Sequence, residues 1–336
     1  MQFFGCIPYC YKSQILMKKT SWIIACLFAI ATAAYSNPPK GLLNKKTKAL
    51  TNLATIKVGL PPATWKEHWF EHEQTVSLQY YDNNVAVYYD NQVDKSVTWP
   101  FKTMSQVWAY VKKTYGSFGD STRLYVILHQ GRYGGGHPAS YFNSSHDYRN
   151  MIDCGLGDWR DSTGERIGMM VHEVGHIVSG ASHGVDGAPS DAIWGDSKFM
   201  EIFVYDVLLH IGRQNEAEKV YKQMEAQDPN ADYPGIRYPG TRWFINWFYP
   251  IYSKYGGASV LNKYFEVIAK NYPKKGLEFS RDRDMNLGEF VHFWSGATGR
   301  DLTGQAKTAF GKYWNAEAQA EFKQAQTDFP QVKYKR

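Results

Sequence analysis

The stretch His172-Glu173-Val174-Gly175-His176 holds the residue types and spacing best suited to chemistry. On an α-helix, positions i and i+4 lie about 40° apart and one turn along, so both imidazoles can face one metal ion. The intervening Glu173 projects from an adjacent angle and can take a proton from water without itself ligating. Two His, a third protein ligand and one open position describe a catalytic Zn2+ site with the Glu as general base. The preceding Ile167-Gly-Met-Met-Val171 is apolar, as a buried helix requires.

The third ligand is open. A His three residues after a Gly would complete H-E-x-x-H-x-x-G-x-x-H, but Gly180 and His183 each fall one residue late. The other candidate is a carboxylate from the next helix. Glu201 follows a Gly195-Asp196-Ser197 break and sits among Phe199, Met200, Ile202 and Phe203, which argues against a freely solvated side chain. Glu201 is favoured, His183 is the alternative metal ligand, and Asp186, Asp191 and Asp196 are further carboxylates in reach. Tyr205, Tyr238, Tyr249 and His183 could each donate a hydrogen bond to a developing oxyanion. Asp206 and Asp196 are candidates to orient a ligand His from behind.

H-E-x-G-H followed by Trp194 and Glu201 resembles the gluzincin zinc metallopeptidases, and within them the enhancin and mucin-degrading branch. The resemblance extends over about residues 120–315. It includes the aromatic run Trp243 to Gly256, then Leu261 to Ile268, then Glu289-Phe-Val-His-Phe-Trp-Ser295, and the Ala297-Thr-Gly-Arg-Asp-Leu302 element. It implies a zincin-like catalytic domain and peptide-bond hydrolysis, that is, a zinc metalloendopeptidase acting on a polypeptide or glycoprotein. His172, His176 and Glu201 would be its metal ligands and Glu173 its general base. The competing reading is a non-catalytic extracellular glycan- or protein-binding protein with a structural zinc. Intact Glu173 favours catalysis, because a purely structural site has no use for it.

The elements that must position these residues are legible in outline. Val76–Tyr81 and Val85–Tyr89 alternate β-formers around Asp82-Asn83-Asn84 and read as a hairpin. Its Tyr80, Tyr81, Tyr88 and Tyr89 offer a possible ring-lined surface. Met104, Val107, Trp108, Val111 and Tyr115 follow helical spacing after Thr103, a suitable N-cap, and Leu124–Leu128 reads as a strand. Residues 131–161 are rich in Gly, Ser, Asn and Asp and read as a long loop. His129, His137 and His146 fit no compact ligand spacing and read as ordinary loop histidines. Leu124–Leu128 and Gly131–Pro138 would flank the cleft, with Gly134-Gly135-Gly136 permitting close backbone approach and β-addition of a peptide. Helices follow near 165–180, 197–210, 214–226, 241–255, 258–271, 286–296 and 315–328. Strands first and helices after give an α+β class, with an N-terminal mixed β-sheet and a mainly helical C-terminal subdomain. The divisions are 1–36, a 37–62 linker, 63–212 with the zinc-binding helices, and 213–336.

Composition narrows the class. The chain has 336 residues, 43% hydrophobic and 16% aromatic, so it is globular. Lys plus Arg number 38 against 32 acidic residues, too thin an excess to argue for nucleic acid. Met17-Lys18-Lys19, the apolar run Trp22–Ala34, and small Ala34 and Ser36 form a secretory signal pattern starting at Met17. The expectation is a secreted or periplasmic protein with no membrane insertion in its mature form. The leader carries Cys6, Cys10 and Cys26, which leaves Cys154 alone and no disulfide framework. Cys154 reads as a buried thiol.

Overall fold

The computed structural model describes residues 59–119, 123–228 and 237–335. The leader, and all of the 37–62 linker except its last four residues, fall outside the described residues. The core of the N-terminal part is a six-stranded mixed sheet, in the order β1-β2-β3-β4-β6-β5. Its strands are β1 (Thr64–Lys66), β2 (Thr75–Tyr81), β3 (Val85–Tyr89), β4 (Leu124–Gln130), β5 (Gly135–Ala139) and β6 (Asn150–Leu156). The β2–β3 hairpin is antiparallel, as expected. Strands β3 and β4 run parallel, and a parallel pair needs a crossover. Helix α1 (Trp99–Tyr115) supplies it. This helix starts at Trp99, five residues before the expected Met104, because Pro100 fits the first turn, where no N–H is needed.

Residues 131–161 are not one loop. They contain β5, a short 3-10 turn and β6, which pairs parallel with β4 and antiparallel with β5. A Gly-Gly-His-Pro strand carries almost no β-propensity. It is extended because β6 supplies its partners, and that is tertiary information. Strand β5 stands at the edge of the sheet.

Alternation sorts the sheet into two faces. Val85, Val87, Tyr89, Val126, Leu128 and Cys154 join the main core with the helices, while Ala86, Tyr88, Tyr125, Ile127 and Met151 join Trp65 and Trp69 on the far side. Tyr88 and Tyr89 are therefore core residues, and Tyr80 stacks on Phe101 at 4.9 Å. The expected ring-lined surface reduces to Tyr81.

The helices follow the expected places: α2 (Glu165–Ala181), α4 (Lys198–His210), α5 (Gln214–Ala226), α7 (Ala258–Asn271), α8 (Leu287–Thr298) and α10 (Ala316–Asp328). Two short ones were not foreseen, α3 (Asp191–Trp194) and α9 (Thr303–Phe310). The expected 241–255 helix is a π-helical turn, Trp243–Phe248, running into α6 (Tyr249–Lys254). Trp243, Trp247, Phe290 and Trp294 pack as buried rings between these helices, with Tyr264 stacked on Trp294 at 4.2 Å. One hydrophobic cluster runs from Val85 on the sheet to Val332, so residues on both sides of position 212 share it. The sheet-then-helices order is consistent with the α+β expectation. Among the described residues, no helix is long and apolar enough to cross a membrane.

Candidate metal centre and active-site cleft

Helix α2 buries Ile167, Met170, Val171, Val174, Ile177, Val178 and Ala181 as a stripe at helical spacing. That stripe fixes the rotation of the helix, and its other side presents the two imidazoles. Nε2 of His172 and Nε2 of His176 are 3.2 Å apart, with ring centroids at 5.0 Å. Burial first, and then the neighbouring His176, push the His172 pKa down to about 3. Burial also lowers His176, against the opposing charge of Asp196. Both rings are therefore neutral near pH 7 and offer lone pairs, which is the state a metal ligand needs.

Glu173, between them in sequence, is buried. Desolvation, then the charges of Asp196 and Asp153, push its carboxyl up to about 8. It rests on edge strand β5 at Gly136: a Cβ there would lie 2.6 Å from Glu173 Oε1 and 2.7 Å from its Cγ. The absence of a side chain at Gly136 makes room for the carboxylate. The close contact at Gly136 is made by the protein's own Glu173, not by a peptide backbone. A cleft of about 230 Å³ is lined by Pro138 and Ala139 of β5, His176 and Ser179 of α2, and Asp186 and Asp191.

A second close approach sets the next helix. A Cβ on Gly175 is already absent where Met200 Sδ and Phe203 Cδ1 would meet it at 2.6 and 2.9 Å, so α4 crosses tightly over α2. Glu201 lies next to Met200. Its Oε1 accepts from Lys198 Nζ at 2.6 Å, and its Oε2 is buried with no hydrogen-bond partner. The carboxylate grouped with His172 and His176 is instead Asp196, whose Oδ1 is 3.6 Å from His176 Nε2. The other candidates have partners of their own. His183 Nε2 pairs with Asn262 Oδ1 at 2.9 Å. Asp191 accepts from Trp194 Nε1 at 2.9 Å. Asp206 accepts from the hydroxyls of Tyr110, Tyr115 and Tyr252, and its other near neighbour is His210, so its oxygens are committed away from the two imidazoles. Tyr205 and Tyr249 pack edge to face, 5.7 Å apart, in an aromatic cluster with Tyr221 and Phe244. Tyr238 packs on Tyr313.

A second group was missed from sequence. Glu67, His72, His129 and Asp153 are all buried, lie within 4.8 Å of one another through one atom each, and could hold a metal ion. His129 is therefore not a loop histidine: it is on β4, and His137 is on β5. Carboxylates surrounding His129 (Asp153, Asp90 and Glu67) outweigh its desolvation and hold its pKa up to about 11. Asp153 carried the available signal, a carboxylate inside the apolar run Met151-Ile152-Asp153-Cys154. Glu67 and His72 carried none. Cys154, on the opposite face of β6, is a buried thiol as expected, pushed well up by burial and by Glu173 and Asp153.

No family model matches the sequence, and a search of the curated proteins returns no match. Among solved structures, the chain is similar to a functionally unknown conserved protein from Bacillus anthracis str. Ames. That match has 12% identity and a TM-score of 0.46, over 72% of this chain and 50% of that one. It is more weakly similar to a two-domain M1 zinc metallopeptidase mutant bound to L-tryptophan, at 14% identity and a TM-score of 0.38, over 78% of this chain and 50% of that one. An M1 zinc metallopeptidase from Deinococcus radiodurans follows, at 12% identity and a TM-score of 0.32, over 77% of this chain and 50% of that one. The chain thus spans about half the length of the structures it matches.

Proposed function

We propose that this chain is a zinc-dependent metallopeptidase that hydrolyses peptide bonds in proteins or glycoproteins, with a zincin-like arrangement around α2. The observation that carries the reading is the pair of neutral imidazoles, Nε2 atoms 3.2 Å apart, beside a buried Glu173 whose carboxyl is pushed up to about 8. His172, His176 and Glu201 would hold the metal. Oε2 of Glu201 is buried without a hydrogen-bond partner and could take a metal ion, while Oε1 accepts from Lys198. Asp196 is the competing third ligand, favoured by its 3.6 Å approach to His176.

When bound, zinc supplies Lewis acidity toward a substrate carbonyl and makes water acidic near neutral pH. The remaining work belongs to the chain. Glu173 accepts a proton from the attacking water and returns it to the leaving amine, and a carboxyl titrating near neutrality suits both transfers. Edge strand β5 offers backbone groups along which an extended peptide can add as a further strand, beside the cleft that His176 lines. The leader read in residues 1–36 would place the protein outside the cytoplasm, as a secreted or periplasmic enzyme.

The test is metal analysis joined to a protein- and mucin-cleavage assay. Glu173→Gln should retain zinc and lose activity by about 10²–10⁴-fold. Glu201→Gln should lose zinc affinity while Asp196→Asn keeps it. Full activity in the Glu173→Gln protein would sink the mechanism. Zinc lost in Asp196→Asn but kept in Glu201→Gln would reassign the third ligand.

A further inference from the structure

On the face of the sheet away from α2, four buried candidate ligands converge. Nε2 of His129 lies 2.8 Å from Glu67 Oε1 and 3.1 Å from Asp153 Oδ1. One ring nitrogen carries at most one N–H, so it cannot serve two carboxylates. Neither approach has hydrogen-bond alignment: all three atoms are buried and lack a hydrogen-bond partner. Two carboxylate oxygens and one ring nitrogen thus face one another without an aligned hydrogen bond, and a bound cation would satisfy all three where a protonated ring nitrogen can serve only one.

The other atoms of the same residues are each provided for. Asp90 Oδ2 is 3.2 Å from His129 Nδ1, which leaves Nε2 to face inward. Gln74 N–H donates to Glu67 Oε2 at 2.9 Å. Trp69 Nε1 donates to Asp153 Oδ2 at 3.0 Å, and His72 Nδ1 lies 2.9 Å from the same oxygen. Metal ligands are supported in this way: the outward atom is held by a partner and the inward atom is left for the ion.

We propose that Glu67, His72, His129 and Asp153 form a second, closed metal site for a zinc ion that ties the β1–β2 connection to β4 and β6. Two imidazoles and two carboxylates suit zinc in four-coordination, whereas calcium or magnesium would call for oxygen alone. Two carboxylates also balance a dication. None of the four residues is more than 6% exposed, so no position is open for substrate and the role is structural. The site spans three parts of the chain. Glu67 and His72 lie in the short β1–β2 connection, and His129 and Asp153 come from the sheet. Its ligands are separate from His172 and His176, so the inference stands independently of the peptidase reading.

Zinc content per chain is the measurement. After zinc loading and removal of loose metal, His172→Ala/His176→Ala protein should retain about one zinc, against about two in the parent. Adding His72→Ala should remove the remaining ion. Asp90→Asn, which leaves all four ligands in place, should weaken that ion's binding by about 10–100-fold. Cobalt loaded into the His172→Ala/His176→Ala protein should give the visible absorption of a tetrahedral site, a readout that does not depend on any variant of the four ligands folding. The inference is overturned if that protein binds neither zinc nor cobalt, which would leave a protonated His129 clamped by carboxylates. It is also overturned if Asp90→Asn binds as tightly as the parent. A parent and a His172→Ala/His176→Ala protein that hold the same single ion would instead refute the α2 site and leave this one standing.

Discussion

Gly136→Ala is the sharpest single perturbation of the candidate active site. The added methyl would sit 2.6, 2.7 and 2.8 Å from Oε1, Cγ and Cδ of Glu173. Ordinary non-bonded contacts begin near about 3.5 Å, so the carboxylate must withdraw by roughly 1 Å. Misplacement on that scale costs about 10²-fold in rate when the displaced group takes part in the chemistry. The fold has less at stake. Overpacking costs about 1–3 kcal/mol, and replacing Gly returns about 0.4–1 kcal/mol through the unfolded chain. The metal ligands are not touched. The expectation is therefore a kcat/KM about 10²-fold down on a peptide substrate, zinc content unchanged, and a Tm lowered by a few degrees. Gly134→Ala is the control, because a Cβ there meets nothing within 4 Å. Near-parental activity in Gly136→Ala, or an equal loss in Gly134→Ala, would refute the placement of Glu173 against β5.

Two further outcomes concern protons. His172 is held down to about 3 in the metal-free protein, so its imidazole signals should show no titration near the usual 6.5. Because the native state then binds fewer protons than the unfolded chain, the metal-free protein should lose stability as pH falls from about 6.5 toward 3, and His172→Ala should flatten that slope in urea titrations. A His172 midpoint near 6.5 by NMR would overturn the buried, neutral assignment. Asp206 behaves in the opposite sense. Burial raises its pKa against the hydroxyls of Tyr252, Tyr110 and Tyr115, so the native state binds the extra proton. Stability should fall as pH rises from the ordinary carboxylate range through the raised value, and Asp206→Asn, which cannot titrate, should remove that dependence. Identical pH profiles for the two proteins would contradict it.

Much of the helical half was readable because helix formation is local. The 3.6-residue stripe that buries Ile167, Met170, Val174 and Ile177 is written in consecutive residues, and so is the Asn286/Glu289 capping box that starts α8. The His172/His176 pair belongs to the same class, because i and i+4 meet on any helix. Residues 135–156 show where local reading stops. Gly135-Gly136-His137-Pro138 becomes a strand only because β6 lies beside it, and β6 is placed by a parallel pairing with β4 across the 19 residues between them. The third ligand shows the same limit. Glu201 and Asp196 are both near the right place in sequence, and nothing local foretells that Asp196 comes within 3.6 Å of His176 while Lys198 pairs with Glu201.

By itself, the sequence determined the chemistry on offer: two imidazoles and a carboxylate on one helix, an apolar stripe behind them, and a chain whose basic excess is only 38 against 32. Only the tertiary structure decided what stands opposite that helix, namely an edge strand thinned to glycine under Glu173. It also decided that Glu67, His72, His129 and Asp153 meet. Those four come from places up to 86 residues apart, between Glu67 and Asp153, and no periodicity links them. A non-local contact leaves no local pattern, because the only force that selects it is the burial and pairing of the assembled sheet.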